Sequence, residues 1–177
     1  DQEGSLIHNG YRLYSVRANT EGDVNSFIRV GLNIVGSYSK QNPISTEGRS
    51  ALVGSALLAD PRDPIYNPDG SYNAYIGGHD GVFGFPNPVM YLQEITNNRY
   101  IGNGVSNGYI EFSFLKHMKF KSDYNVSLNY QNDKVFVPST IAGVNAPPPR
   151  PASESDDAFT TLNLAADQLL TYNNNFG

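Results

Sequence analysis

Apolar and polar side chains alternate along most of the chain, and the alternation breaks into strand-length blocks. Over 12–20, Tyr14, Val16 and Ala18 fall on one side and Ser15, Arg17 and Asn19 on the other, the period of a half-buried strand. A turn-rich stretch follows at 21–26. Residues 27–39 then alternate again, Ile28, Val30, Leu32 and Ile34 against Arg29, Gly31 and Asn33, so the two blocks predict a hairpin. Strand character returns over 100–115 with a slip of phase. Ile101, Val105 and Tyr109 share one parity while Ile110, Phe112 and Phe114 share the other, and Gly102, Gly104 and Gly108 would accommodate a bulge. After a short turn at Lys116-His117, Met118, Phe120, Tyr124, Val126, Leu128 and Tyr130 form one face against Lys119, Lys121, Asp123, Asn125, Ser127, Asn129 and Gln131, with Ser122 alone breaking the apolar side. A fifth strand is expected over about 161–172.

The connections differ sharply in length. The first long one, about 40–99, is rich in turn dipeptides (Asn42-Pro43, Asp60-Pro61, Asp63-Pro64, Asn67-Pro68-Asp69-Gly70), and within it only 46–59 reads as a short helix, with Thr46 as N-cap and Leu52, Ala56 and Ala59 on one face. The second, about 132–160, carries Pro138 and the Pro147-Pro148-Pro149 run, which stiffens a loop as polyproline II more readily than it recruits a partner. Three of the expected strands exceed a dozen residues, against an ordinary mean of about five to six, and approach what a bilayer crossing at about 45° tilt requires. Structureless loops above about 15 residues are uncommon in compact domains, whereas outer-membrane barrels pair short turns on one side with long loops on the other. Tyr14, Tyr38 and Tyr130 fall near the long-loop ends of their strands on the apolar face, where an aromatic girdle belongs. A soluble secreted β-sandwich acting as a carbohydrate-binding module shares the alternation, and periodicity does not separate it from a barrel. The apolar face of 118–130 separates them: toward lipid in a barrel, into a dry core in a sandwich.

Composition agrees with an all-β chain. Apolar residues make up 39% of the 177 and charged residues 16%, so polarity comes from uncharged groups, including twenty Asn. Asn, Gly, Ser and Pro disfavour helix interiors, and the low charge is unlike a disordered tail. A net charge of -5 leaves no cationic surplus for phosphates, which sets nucleic acid aside as a partner. Zero Cys excludes a disulfide framework and thiolate chemistry. No apolar run reaches the roughly 18 residues of a spanning helix, a criterion that does not bear on barrel strands. Asp1-Gln2-Glu3-Gly4 has none of the pattern of a signal peptide.

No catalytic constellation stands out, and neither a metal nor a cofactor is expected. His8, His79 and His117 lie in different segments, and His79-Asp80 is better explained by its glycine-flanked loop. Gly102-Asn103-Gly104 lacks dinucleotide-fingerprint spacing. Asp60, Asp63, Asn67 and Asp69 have the oxygen content of a calcium loop without its alternating ligands or closing Glu. Asn125-Val126-Ser127 matches a glycosylation sequon in mid-strand. A hydrolase would need two carboxylates facing across a cleft, and the strands carry few. Binding is the better-supported chemistry. Arg17, Arg29, Asn33, Asp123, Asn125 and Asn129 would line a lumen, as substrate contacts or as a hydrated wall, and Tyr66, Asn67, Asp69 and Tyr72 would stack on or hydrogen-bond a ligand, or pack their loop. The absence of Trp weakens a dedicated sugar platform.

Several segments in order resemble a family: Tyr14-Ser15-Val16-Arg17-Ala18-Asn19, Ile28-Arg29-Val30-Gly31-Leu32-Asn33, 51–61, Pro64-Ile65-Tyr66-Asn67-Pro68-Asp69-Gly70-Ser71-Tyr72, Asn87-Pro88-Val89 and the Leu-x-x-Met-Lys-Phe-Lys-Ser start at 115–122. Together they are similar to the early barrel region of SusC/RagA-type TonB-linked outer-membrane transporters, and 169–177 looks like that family's next strand and turn. The resemblance implies an antiparallel transmembrane β-barrel segment of about five long strands, with long extracellular loops and one short helix in the first of them. It implies a bacterial outer-membrane location in contact with lipid, import of oligosaccharides or peptides, a SusD-like surface lipoprotein, and a TonB complex engaged through an N-terminal part outside this stretch. On this reading 1–177 is a piece of a barrel, without plug, TonB box or C-terminal strands, and without enzymatic activity. An odd count of five strands fits a piece, since single-chain bacterial barrels close with an even number.

Overall fold

The computed structural model describes residues 2–3, 9–44, 52–79, 81 and 83–174. In chain order the elements are β1 (Gln2–Glu3), β2 (Gly10–Asn25), β3 (Ile28–Gln41), α1 (Leu52–Leu58), β4 (Tyr75–Ile76), β5 (Phe85–Pro86), α2 (Pro88–Glu94), β6 (Thr96–Phe114), β7 (Met118–Val137) and β8 (Ser153–Tyr172). One six-stranded antiparallel sheet runs in the order β1-β2-β3-β6-β7-β8, and β4 pairs with β5 separately. The five long strands are those expected, and β1 is a two-residue addition at one edge. They are longer than the alternation first suggests. β7 continues to Val137 and β8 begins at Ser153, although the apolar/polar pattern breaks after 131, where Asn132 and Lys134 take the apolar face and Val135 and Val137 the polar one. The second connection is therefore 138–152, shorter than the 132–160 expected.

Two compact units divide the chain. The first comprises Asp1–Arg12, Lys40–Arg99 and Asn132–Asp157. All the buried apolar side chains of the described residues lie in it: Leu52, Ile76, Phe85, Met90, Ile141 and Ala142. So the first long connection is no irregular loop with a single helix. It holds two helices and two short strands, with α1 packed against α2, and the second connection contributes Ile141 and Ala142 to the same core. The described helix is Leu52–Leu58; the Thr46 cap lies outside the described residues. Asn145 docks one connection on the other: its amide donates to Gly84 O at 2.9 Å and its Oδ1 accepts from Gly84 N at 2.9 Å.

The second unit comprises Leu13–Ser39, Tyr100–Gln131 and Ala158–Gly177. Its hairpins are closed by short turns. Asn25 Oδ1 accepts from the amides of Phe27 and Ile28, both at 2.9 Å, and Leu115 and Lys116 take left-handed φ of 51° and 50° between β6 and β7. No bulge is needed at the β6 glycines. Asn103 meets Asn129 and Asn107 meets Asn125, while Gly102 and Gly104 lie under Tyr130 and Leu128, so each step along β6 is matched by an equal step back along β7. Parity is constant. The glycines share the apolar face with Ile110 and Phe112, and Ile101, Val105 and Tyr109 lie on the polar face. The phase slip arises because small residues occupy apolar-face sites. Gly31 has another role: an added Cβ there would overlap the ring of Tyr109, which lies across β3.

The apolar face is uncovered. On β7, Tyr124 is 54% exposed, Val126 38%, Leu128 44% and Tyr130 39%, values far from those of a sandwich core. Tyr14, Val16, Leu32, Ile34 and Tyr38 on the same face are exposed as well.

Candidate functional site

Alternation fixes which side chains share the polar face, and in the second unit they form two cross-strand groups. The neutral group pairs amides: Asn129 Nδ2 donates to Asn103 Oδ1 at 2.6 Å and Asn107 Nδ2 to Asn125 Oδ1 at 2.7 Å. Each bond uses one donor and one acceptor, leaving further amide valences. A charged group is built around Glu21 and Tyr109. Arg29 Nη2 lies 3.0 Å from Glu21 Oε1, the Tyr109 hydroxyl donates to Glu21 Oε2 at 3.1 Å, and Lys121 Nζ stands 4.4 Å from the Tyr109 ring centre while pairing with Asp123 at 2.8 Å. Lys119 pairs with Glu111 at 3.0 Å.

Of the residues singled out from sequence, Arg29, Asp123, Asn125 and Asn129 enter these groups, and Arg17 and Asn33 are exposed on the same face. Their partners Glu21, Asn103, Asn107, Tyr109 and Lys121 were not singled out. Those on β6 share the parity of Asn103, a signal that the apparent phase slip obscures.

In the first unit, Asn67-Pro68-Asp69-Gly70 makes the tip of a tight hairpin. Gly70 takes φ of 84°, its amide donates to Asn67 O at 2.9 Å, and Asn67 N donates to Ser71 O at 2.8 Å. Asn67 Nδ2 donates to Ser71 Oγ and Tyr72 O, and Asp69 Oδ1 accepts from the amide (2.9 Å) and hydroxyl (2.6 Å) of Ser71. Those bonds hold the Asp69 carboxyl below the usual range. Asn67 and Asp69 thus spend polar capacity on their own turn. Tyr66 and Tyr72 pair across the hairpin with ring centres 5.2 Å apart and planes at 31°, and Tyr66 is exposed.

Asn87, 1% exposed, ties this hairpin to α2. Its Oδ1 accepts from Val89 N (2.9 Å) and Met90 N (3.3 Å), capping the helix, and its Nδ2 donates to Ile65 O and Asn73 O, both at 2.9 Å. The carboxylates of the 60–69 stretch engage separate partners: Asp60 holds Arg62, Asp69 holds Ser71, and Asp63 accepts from Gly77 N at 2.7 Å and meets His79 Nε2 at 3.1 Å. Among the described residues no three His, Asp or Glu side chains gather as a metal site. Asp80 and His8 lie outside the described residues.

The Asp63 carboxyl is held below the usual range, first by the Gly77 amide and then by His79. A depressed carboxylate value stabilises the closed loop above the ordinary carboxylate pKa, about 3.9, and that contribution is lost as pH falls through the lower, folded value. Protection of the Gly77 amide against hydrogen exchange, corrected for intrinsic rate, is therefore expected to fall below about pH 4. In Asp63→Asn that dependence should vanish; an unchanged profile in the variant would refute the assignment.

No protein-family model matches the chain. Among curated proteins it is 26% identical, over 99% of its length, to TonB-dependent receptor P3 of Formosa agariphila, and spans 18% of that protein. It is 29% identical over 78% of its length to TonB-dependent receptor P26 of the same organism, spanning 13% of it. Among solved structures, the RagAB peptide importer in its closed-closed state matches 94% of the chain with a TM-score of 0.67 at 14% identity, the match covering 18% of that chain. Its open-open state matches 88% with a TM-score of 0.53.

Proposed function

We propose, from the premise that this chain is a stretch of SusC/RagA-type barrel wall related to TonB-dependent receptors, that it supplies wall and extracellular loops to an outer-membrane, TonB-dependent importer of oligosaccharides or peptides. One observation carries the reading. Five long strands present an exposed apolar face and a hydrogen-bonded polar face at once, and a bilayer on one side with a water-filled lumen on the other satisfies both. The amide pairs and the Glu21–Tyr109–Lys121 group then line the lumen, where Arg17, Arg29, Asn33, Asp123, Asn125 and Asn129 stand as substrate contacts. The long loops, with Tyr66, Asn67, Asp69 and Tyr72 on one hairpin, are extracellular and work beneath a SusD-like lipoprotein. The TonB complex acts through another part of the longer polypeptide, in a bacterial outer membrane, with no bond made or broken in the substrate.

This stretch has no Cys, so an introduced cysteine is its one thiol, and any cysteine elsewhere in the full polypeptide is first replaced by serine. In the full polypeptide, Leu128→Cys is expected to resist a water-soluble maleimide in intact outer membranes and to react after detergent extraction, whereas Asn129→Cys reacts in the membrane. Recovery of the polypeptide in a soluble fraction with both sites reactive would overturn the reading.

A further inference from the structure

Register aligns four asparagines in one row across the polar face. Asn42 N donates to Gly10 O at 3.0 Å and Ser113 N to Phe27 O at 2.8 Å, and in an antiparallel ladder such a bond joins residues directly opposite each other. Counting inward from these pairs sets Asn19 of β2 opposite Asn33 of β3, and Asn33 opposite Asn107 of β6, which is bonded to Asn125 of β7. A Cβ added at Gly36 would lie 3.5 Å from Val16 and one at Gly108 3.6 Å from Leu32, as these registers require. Adjacent strands are about 4.8 Å apart, so the row is about 14 Å long. A second row, Ser37, Asn103 and Asn129, runs parallel to it four residues along each strand, and between the two lies Val105, 54% exposed although on the polar face. From one row to the other, Arg17 is the single ionised side chain on the polar face of β2, β3, β6 and β7. The carboxylates Glu21, Glu111 and Asp123 lie on the turn side, each paired with a cation. Among the described residues neither Asn19 nor Asn33 makes a side-chain hydrogen bond, and both are exposed. The Asn107–Asn125 bond uses one donor and one acceptor and leaves the others of that pair open.

We propose that the row of Asn19, Asn33, Asn107 and Asn125 binds an oligosaccharide lying across the strands, one sugar unit to each strand, and so selects glycans over peptides. The inference rests on the barrel-wall reading, which turns the polar face toward a lumen. Each unit of a glycan offers hydroxyls that donate and accept, as each amide does, and a pyranose unit is close to one strand spacing in length. Val105 meets the C–H face of a ring. An extended peptide advances about 3.3 Å per residue and turns successive groups to opposite sides, so it falls out of step with strands about 4.8 Å apart. Its ammonium terminus also needs a carboxylate, and the polar face between the two rows has none.

The test uses the full polypeptide, purified from outer membranes in mild detergent, with two probe sets at equal concentration: an array of oligosaccharides of varied sugars, linkages and lengths, and a library of octapeptides of randomised sequence. Glycans are expected to be retained and peptides not, with affinity rising to about four sugar units, the length of the row, and level beyond it. Asn19→Ala and Asn33→Ala should each weaken the retained glycan about fivefold, and together about twenty-five-fold, one hydrogen bond apiece. Lys119→Gln, on the turn side, leaves binding unchanged. The length dependence in the unaltered protein keeps the test decisive if the variants misassemble. Peptides held as firmly as glycans, retention of neither set, or glycan binding undiminished in the double variant would overturn the proposal. The maleimide pattern of Leu128→Cys and Asn129→Cys reports the wall separately: if it holds, failure of the glycan test leaves the barrel reading intact, and if it is lost, both readings fall.

Discussion

Replacing Val126 with arginine is expected to cost about 2–4 kcal/mol of barrel stability, a thirty- to thousandfold shift in the folding equilibrium. Val126 lies on the exposed apolar face of β7, between Met118 and Tyr130, well inside the stretch assigned to lipid. An arginine there has three methylenes against four strand residues, about 13 Å, to Tyr130, and no acidic partner on its own face of β7, so it must thin the bilayer or draw water in. Ser127→Arg moves the same group one residue along the strand and onto the polar face. There the chemistry reverses: the side chain enters a wall already carrying Asn125, Asn129 and Asp123, and the expected change is below about 0.5 kcal/mol. Urea unfolding of the full polypeptide in lipid vesicles, followed by heat-modifiable mobility, reads both. Equal costs for the two variants would mean that the faces are not in different solvents. A soluble sandwich would also penalise Val126→Arg, but in aqueous buffer and without any vesicle.

How far the sequence reveals these features depends on whether a local rule or a tertiary contact decides each one. Strand identity and facing were legible because alternation with period 2 leaves one assignment for β3 and β7. β6 misled because Gly102, Gly104 and Gly108 supply apolar-face positions without apolar side chains; only Tyr130, Leu128 and Leu32 lying over them show that the phase never changes. α2 should have been legible and was missed. Asn87-Pro88 is an N-cap followed by proline at the first helical position, leading into Val89-Met90-Tyr91-Leu92, but a chain dense in Asn-Pro turns hides one that starts a helix. The charged polar-face group was half visible. Arg29 and Asp123 stand out by type, whereas Tyr109 reaches Glu21, 88 residues away in sequence, only because Gly31 leaves room for its ring. The hairpin residues Asn67 and Asp69 looked like ligand contacts, and their bonds show how much of that capacity the turn itself consumes.

Asn87→Ala is expected to loosen the first unit by about 2–4 kcal/mol while leaving the second unit's strands protected. The cap bonds to Val89 and Met90 account for about 1 kcal/mol. The two Nδ2 bonds are unequal. Ile65 O also accepts from Asn73 N at 3.0 Å and keeps a partner, whereas Asn73 O loses the Asn87 amide, and a part-buried carbonyl left without that donor costs about 1–3 kcal/mol. Asn87→Ser separates the contributions: its hydroxyl restores the cap but does not span to both carbonyls, so about 1 kcal/mol should return. Asn87→Asp keeps the acceptor and sets a carboxylate against Ile65 O and Asn73 O, so near neutral pH it should fare no better than Ala. Hydrogen exchange of the Asn73, Met90 and Tyr91 amides in the full polypeptide reads the local opening, and limited proteolysis between 60 and 79 reads its consequence. If all three variants leave that protection unchanged, the hairpin is held by the apolar core around Ile76, Phe85 and Met90 instead. If they release it together with β6 and β7, the two units open in one cooperative step.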